Sequence, residues 1–191
     1  MPMEKNGVDP LARARELSLA GLLGALGLLL PIGFHALGWG GKILLPMHLP
    51  IVVAGFLVGP GTAASLGLVV PLLSAALTGM PPLAPPLAVL MAFELAAKAG
   101  AISLLYRSLR APLWLALLVG IVVDWAVLAA AVWLAAGFFA VKAGPLPYVW
   151  AAIALSIPGT ALQLLAAPAA VLAIQRRLPG LQPGQPAKVG R

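Results

Sequence analysis

Long apolar runs, separated by short segments that contain proline, glycine or charged residues, make up most of the chain. A helix needs about 20 mostly apolar residues to cross the hydrocarbon core of a membrane, which is about 30 Å thick. The pattern therefore predicts an all-α membrane protein with six transmembrane helices. We expect these helices at about 16–30, 43–58, 62–77, 87–106, 112–139 and 148–174.

Proline and glycine mark the predicted helix ends. Pro31 and the glycines that follow it are expected to end the first helix, and Thr62 is expected to cap the third. The second predicted helix reaches only about 24 Å, so it needs its neighbours to complete a crossing. The prolines of 78–86 predict a stiff, extended loop. Kinks or interruptions are expected at Pro71, Pro158 and Pro168.

Composition also indicates a membrane protein. Of the 191 residues, 62% are hydrophobic and 9% are charged, which is more apolar surface than a soluble core of this size can bury. The net charge of +7 does not predict nucleic-acid binding, because the basic residues lie at helix ends and in the terminal segments. The chain has no cysteine, which excludes disulfides, thiolate metal sites and cysteine nucleophiles.

Lysine and arginine predict the orientation of the chain. With the N-terminus in the cytoplasm, nine cations fall on the cytoplasmic side and only Lys42 and Lys142 in outer loops, as the positive-inside rule requires. Both termini are then cytoplasmic. The predicted parts are a cytoplasmic tail at 1–15, a six-helix domain at 16–177 and a disordered cytoplasmic tail at 178–191. The predicted outer loops, which we expect to form the binding face, are 35–42, 78–86 and 142–147.

A carboxylate and an ammonium lie four residues apart in an apolar run. Glu94 and Lys98 share one face of the predicted helix 87–106, in the favourable order for a helical pair. A charge near the centre of a membrane helix costs about 2.5–3.5 kcal/mol on insertion scales, so both side chains must face protein, water or a ligand. Two interpretations stay open: the pair neutralises itself in a packed bundle, or it lines a cavity that receives a polar solute.

Two further polar residues bear on this pair. Asp124, in the middle of the fifth predicted helix, could pair with Lys98 from across the bundle and so leave Glu94 free. His48 is either a hydrogen-bonded structural group or a contact for a ligand. The sequence shows no HExxH motif and no convergent set of His, Asp and Glu residues, so no metal site is expected.

The last predicted helix carries a polar stripe. Ser156, Thr160 and Gln163 share one face, where they either join helices or contact a solute. Tryptophans near the predicted outer interface belong to an aromatic belt by default, with stacking on a ring-shaped ligand as the alternative. These tryptophans are Trp39, Trp133 and Trp150.

Small residues form a strip on the first predicted helix that lets another helix approach closely, either in the same chain or in a partner. The strip consists of Ala20, Gly21, Gly24 and Ala25. Catalysis is not expected, because the chain has no GxSxG, no GxxxxGK and no dinucleotide-binding fingerprint.

Several runs, taken in their order and spacing over about residues 12–177, resemble the substrate-binding S components of energy-coupling factor (ECF) transporters. They are Leu45-Pro46-Met47-His48-Leu49-Pro50-Ile51 with 55–60, Pro71-Leu72-Leu73-Ser74 with 78–82, 91–100, and Pro158-Gly159 followed by Gln163.

The resemblance implies capture of a water-soluble vitamin or vitamin precursor from outside a prokaryotic cell, by a multi-pass protein of its plasma membrane. It also implies docking on a transmembrane T subunit, which works with two ATPase subunits, through an AxxxA strip that reads Gly21-x-x-x-Ala25 here. No cofactor is expected, and the missing nucleotide motif agrees with ATP hydrolysis in a partner.

Lys42, Lys98 and Lys142 favour a ligand with a carboxylate or phosphate group. The predicted substrate-binding residues are His35, Trp39, Lys42, His48, Thr78, Glu94, Lys98, Trp133 and Gln163, and the small-residue strip is the predicted docking surface. The alternatives are a structural or assembly subunit of a membrane complex and a self-contained ion-coupled carrier, which would be expected to show inverted repeats.

Overall fold

The computed structural model describes residues 10–36, 46–83, 87–139, 146–178 and 181 of the chain. Every regular element within these ranges is helical. The helices are α1 (Pro10–Ala36), α2 (His48–Leu57), α3 (Pro60–Thr78), α4 (Leu87–Ser103), α5 (Leu113–Phe139) and α6 (Leu146–Arg177). A π-helical segment, Leu104–Ser108, continues α4.

Five of these helices, all except α2, are long and apolar enough to cross a membrane. Their outward surfaces carry large apolar side chains, among them Leu22 and Leu29 on α1, Leu77 on α3 and Val122 on α5. Exposed apolar surface on this scale is unfavourable in water but suits contact with lipid. The described part of the chain is therefore all-helical, and its five long apolar helices indicate a multi-pass membrane protein.

The helix α2 is short and buried. Nine of its ten residues are buried, and at 1.5 Å per residue it covers about 15 Å, half of the hydrocarbon core. It begins at His48 after a turn at Pro46 and Met47, later than the predicted start at residue 43. Residues 43–45 lie outside the described ranges. A helix lies at each of the six expected places, but only five of the described helices are long enough to cross a membrane, and α2 is a half-length helix inside the bundle.

The interruptions expected at prolines are not found. The helix α1 begins at Pro10, inside the predicted tail, and continues past Pro31 to Ala36. Likewise, α6 continues through Pro158 and Pro168. Proline removes one backbone donor, but neighbouring helices and side chains can satisfy the freed carbonyl group, and membrane helices tolerate proline for that reason.

The N-terminus of α3 is capped from another helix. Gly59 is the N-cap residue and Pro60 is the first helical residue, so the expectation that Thr62 caps this helix is wrong. Instead, Oε1 of Glu16 in α1 accepts hydrogen bonds from the backbone N–H of Gly59 and from the hydroxyl of Thr62, both at 2.7 Å. A carboxylate in this position also interacts favourably with the helix dipole.

The helix α4 lies at the centre of the bundle because glycines on its neighbours allow them to approach closely. A Cβ atom on Gly67 of α3 would lie 2.5 Å from the carbonyl oxygen of Leu95 in α4. A Cβ atom on Gly55 of α2 or Gly120 of α5 would also meet α4 at 3.0 Å or less. Three helices therefore pack tightly around the segment of α4 that carries the candidate site.

Candidate functional site: a buried polar cluster

Lys98 of α4 and Asp124 of α5 form a buried ion pair. Nζ of Lys98 donates a hydrogen bond to Oδ2 of Asp124 at 3.0 Å, and the two side chains are 1% and 10% exposed. This confirms the pairing across the bundle that the sequence allowed. The alternative in which Glu94 and Lys98 neutralise each other does not describe the structure, because the lysine bonds to Asp124.

His48, Glu94 and Asp124 converge on one place. One ring nitrogen of His48 and one oxygen of each carboxylate all lie within 4.8 Å of one another. The expectation of no convergent His, Asp and Glu set is therefore wrong. The three residues come from α2, α4 and α5, so only the packing of three helices brings them together. We refer to His48, Glu94, Lys98 and Asp124 as the central polar cluster.

The register of α2 and α4 gives the position of this cluster along the bundle. The hydroxyl of Ser103 donates to the carbonyl oxygen of Val58 at 2.7 Å and so joins the two helices at one end. His48 lies ten residues before Val58, and Glu94 lies nine residues before Ser103. Both residues are therefore about 14–15 Å along the helices from this bond, which is about half the thickness of the hydrocarbon core.

Several buried polar atoms have no hydrogen-bond partner among the described residues. They are Nδ1 of His48, Oδ1 of Asp124, Nε1 of Trp125 and both amide atoms of Gln163. His48 is only 3% exposed and Gln163 only 1%. A buried polar group without a partner costs about 1–3 kcal/mol, so these unpartnered atoms indicate places for water or a bound solute.

Gln163 lies at the height of the central polar cluster. Tyr106 and Gln175 exchange a hydrogen bond of 3.2–3.3 Å between α6 and the π-helical segment after α4. Glu94 lies twelve residues before Tyr106, and Gln163 lies twelve residues before Gln175. Because α4 and α6 run in the same direction, both side chains are about 18 Å above that bond.

The polar stripe on α6 is only partly buried. Thr160 and Gln163 are buried, whereas the hydroxyl of Ser156 donates back to the carbonyl oxygen of Ile153 at 2.8 Å in its own helix. Ser156 thus satisfies its hydroxyl locally, while Gln163 leaves its amide free inside the bundle.

Other predicted substrate-binding residues lie elsewhere. Thr78 is exposed at the end of α3, where its hydroxyl donates to the carbonyl oxygen of Ser74 at 2.8 Å. Trp133 is 57% exposed on α5, which suits a lipid-facing side chain. His35 lies in the last turn of α1. Trp39 and Lys42 fall outside the described ranges, as does Lys142.

Sequence reasoning missed a second polar network at the other end of the bundle. Arg107 donates to the carbonyl oxygen of Leu57 at 2.9 Å, near the Glu16 cap and the bond between Tyr106 and Gln175. No sequence spacing links these residues, because they come from helices that are distant in the chain. Trp125, whose Nε1 is buried without a partner, was missed for a different reason: tryptophan in an apolar run indicates only a membrane helix.

The small-residue strip on α1 has two faces. Ala20 and Gly24 are buried, and a Cβ atom on Gly24 would lie 3.1 Å from the side chain of Leu66 in α3. Gly21 and Ala25 are exposed, and a Cβ atom on Gly21 would meet nothing within 4 Å. Half of the strip therefore packs within the chain, and the other half is open.

The fold and the cluster together define a class: a multi-pass helical protein with a polar site buried in its apolar bundle. Comparison of the chain with known protein families, with curated proteins and with solved structures found no match. Its function is therefore inferred from the residues themselves.

Proposed function

We propose that this protein captures a small polar solute, a water-soluble vitamin or vitamin precursor, as the S component of an ECF-type importer. The observation that carries the proposal is the set of buried polar atoms without partners, two of which, Nδ1 of His48 and Oδ1 of Asp124, belong to the central polar cluster. A network that only holds helices together satisfies its own donors and acceptors, whereas a binding site keeps some of them for its ligand. In this proposal the chain crosses a prokaryotic plasma membrane six times with both termini in the cytoplasm.

The half-length helix α2 supports a solute-binding role. It begins at His48, about 15 Å along the helix from Val58, beside Glu94 of α4. Helices that stop near the membrane midplane are typical of transporters, because they bring a helix terminus and its polar groups to the solute. The stretches that carry the resemblance to S components include both His48 and 91–100, which contribute two sides of this site.

Replacement of Gln163 by leucine tests the proposal through two effects of opposite sign. Because both amide atoms of Gln163 are buried without partners, Gln163→Leu is expected to raise the Tm of the empty protein. The same change removes the hydrogen bonds between the Gln163 amide and the solute. It is expected to lower the affinity for the solute about tenfold or more, because a tenfold change in affinity corresponds to about 1.4 kcal/mol. Thermal unfolding in detergent measures the first effect, and mass spectrometry of small molecules released from purified protein measures the second.

The matched control is Ser156→Ala on the same helix, whose hydroxyl bonds only within α6. It should leave retention unchanged. A Gln163→Leu protein that loses stability and keeps its solute would contradict a binding role for Gln163. If the wild-type protein retains no small molecule but purifies with a stable protein partner, an assembly subunit is the correct class instead.

The open half of the α1 strip is the proposed docking surface for the T subunit. Gly21→Leu combined with Ala25→Leu is expected to abolish co-purification with that subunit and its ATPases, because the added side chains prevent close helix contact. Solute retention and Tm should stay unchanged, since Gly21 has open space around it. Gly33→Leu, which also enters open space on α1, is the control. Normal co-purification of the double variant would reject this surface.

A further inference from the structure

We propose that the central polar cluster receives a protonated amino group of the captured solute, a conclusion that rests on the proposed function. Acceptor geometry, unused acceptor atoms and net charge each support it separately.

The geometry matches the hydrogen-bonding pattern of an ammonium group. Three acceptor atoms, one each from His48, Glu94 and Asp124, lie within 4.8 Å of one another, so some point lies no more than about 2.8 Å from all three. Charge-assisted N–H···O bonds have lengths of about 2.7–2.9 Å. A primary ammonium carries three N–H donors, one for each acceptor.

The three residues have acceptor atoms that the described part of the protein does not use. Nδ1 of His48 and Oδ1 of Asp124 are buried without partners. Asp124 bonds to Lys98 through Oδ2, which leaves its other oxygen for a ligand. Among the described residues, none forms a hydrogen bond or salt bridge with Glu94. The cluster therefore offers acceptor atoms to a bound donor group.

With both carboxylates ionised, the charge of the cluster favours a monovalent cation. Two carboxylates, one ammonium and a neutral imidazole carry a net charge of −1 when both acids are ionised. One added positive charge brings the total to zero, whereas an anionic group would raise the negative charge further. Uncompensated charge is expensive in an apolar interior, so the neutral combination is preferred. Lys98 is not a free cation that could attract a carboxylate or phosphate, because Asp124 already holds it.

A divalent metal ion fits the same three residues less well. It would leave a net charge of +1 beside Lys98. The experiment must therefore distinguish metal binding from ammonium binding at these residues.

The test measures the Tm of the purified full-length chain in detergent, by tryptophan fluorescence at pH 7 and constant ionic strength. The probes are methylammonium chloride, tetramethylammonium chloride, sodium chloride and zinc chloride. Methylammonium at about ten times its Kd is expected to raise the Tm by about 3 °C, whereas tetramethylammonium, which has no N–H donor, should give no rise above that of sodium. Glu94→Gln and, independently, His48→Leu should abolish the methylammonium effect, and Glu16→Gln should keep it.

Equal stabilisation by the two organic cations would overturn the proposal, as would no stabilisation by methylammonium. Stoichiometric zinc binding that depends on both His48 and Glu94 would also overturn it and identify a metal site. The outcome is separable from the proposed function. If the protein retains a solute that has no amino group, amine binding by the cluster is refuted and the capture role is kept. If methylammonium raises the Tm of a protein that retains no solute, amine binding is supported and the capture role is refuted.

Discussion

Asp124→Ala is expected to destabilise the protein by about 3–5 kcal/mol, because it leaves the ammonium of Lys98 buried without a counter-charge. Lys98 is 1% exposed and bonds to Asp124 at 3.0 Å. Its ammonium is therefore shielded from bulk water by the surrounding helices. The loss should appear as a fall in Tm of about 10 °C in detergent.

A second substitution tests the cause of that effect. Replacement of the whole pair, Lys98→Met with Asp124→Leu, removes both charges and keeps apolar volume between the helices. It is expected to recover most of the lost stability, since paired removal of buried charges is often neutral or stabilising. The double variant should nevertheless fail to retain the solute, because an acceptor of the cluster is lost. If Asp124→Ala alone is as stable as the wild-type protein, the ion pair is not formed.

Gly67→Ala is expected to cost about 2–3 kcal/mol, although it adds only a methyl group. That methyl group would lie 2.5 Å from the carbonyl oxygen of Leu95, and backbone atoms cannot rotate away as a side chain can. The helices α3 and α4 must therefore move apart. Since Glu94 directly precedes Leu95, the movement should also reduce solute retention. Both changes are measurable with the Tm and mass-spectrometry assays.

The matched control is Gly61→Ala in the first turn of the same helix, where an added Cβ atom meets nothing within 4 Å. Alanine is the better helix former, so this variant should be neutral or more stable by up to about 1 kcal/mol. The two substitutions are chemically identical, and only the surroundings of the glycine differ. A Gly67→Ala protein as stable as Gly61→Ala would show that α3 and α4 do not pack at this distance.

Helix positions could be predicted well where the apolar runs were long. The fifth helix was expected at 112–139 and is found at Leu113–Phe139, and the fourth was expected to start at 87 and does. Predictions failed where proline was read as a helix breaker, since α6 passes both Pro158 and Pro168. Local rules for proline describe a helix in water, and they lose force where neighbouring helices satisfy the freed carbonyl groups.

The candidate site was predicted in part. Glu94 and Lys98 were identifiable because charges are costly in an apolar run, and Asp124 was recognised as a possible partner for the same reason. The sequence left open whether Glu94 or Asp124 forms the ion pair with Lys98. The alternatives differ by the rotation of one helix against another, and the amino-acid pattern of a nearly uniformly apolar helix such as α5 does not define that rotation.

The sequence by itself determined that the chain is apolar, helical and charged at a few interior positions, because hydrophobicity and helical rise act along the chain. Only the tertiary structure decided that His48, Glu94 and Asp124 come together and that Lys98 forms its ion pair with Asp124. It also decided that Gly21 is exposed while Gly24 packs against α3. The physical reason is that these contacts depend on how closely and at what angle the helices pack. Small residues such as Gly67, far from the polar groups in the chain, set that distance.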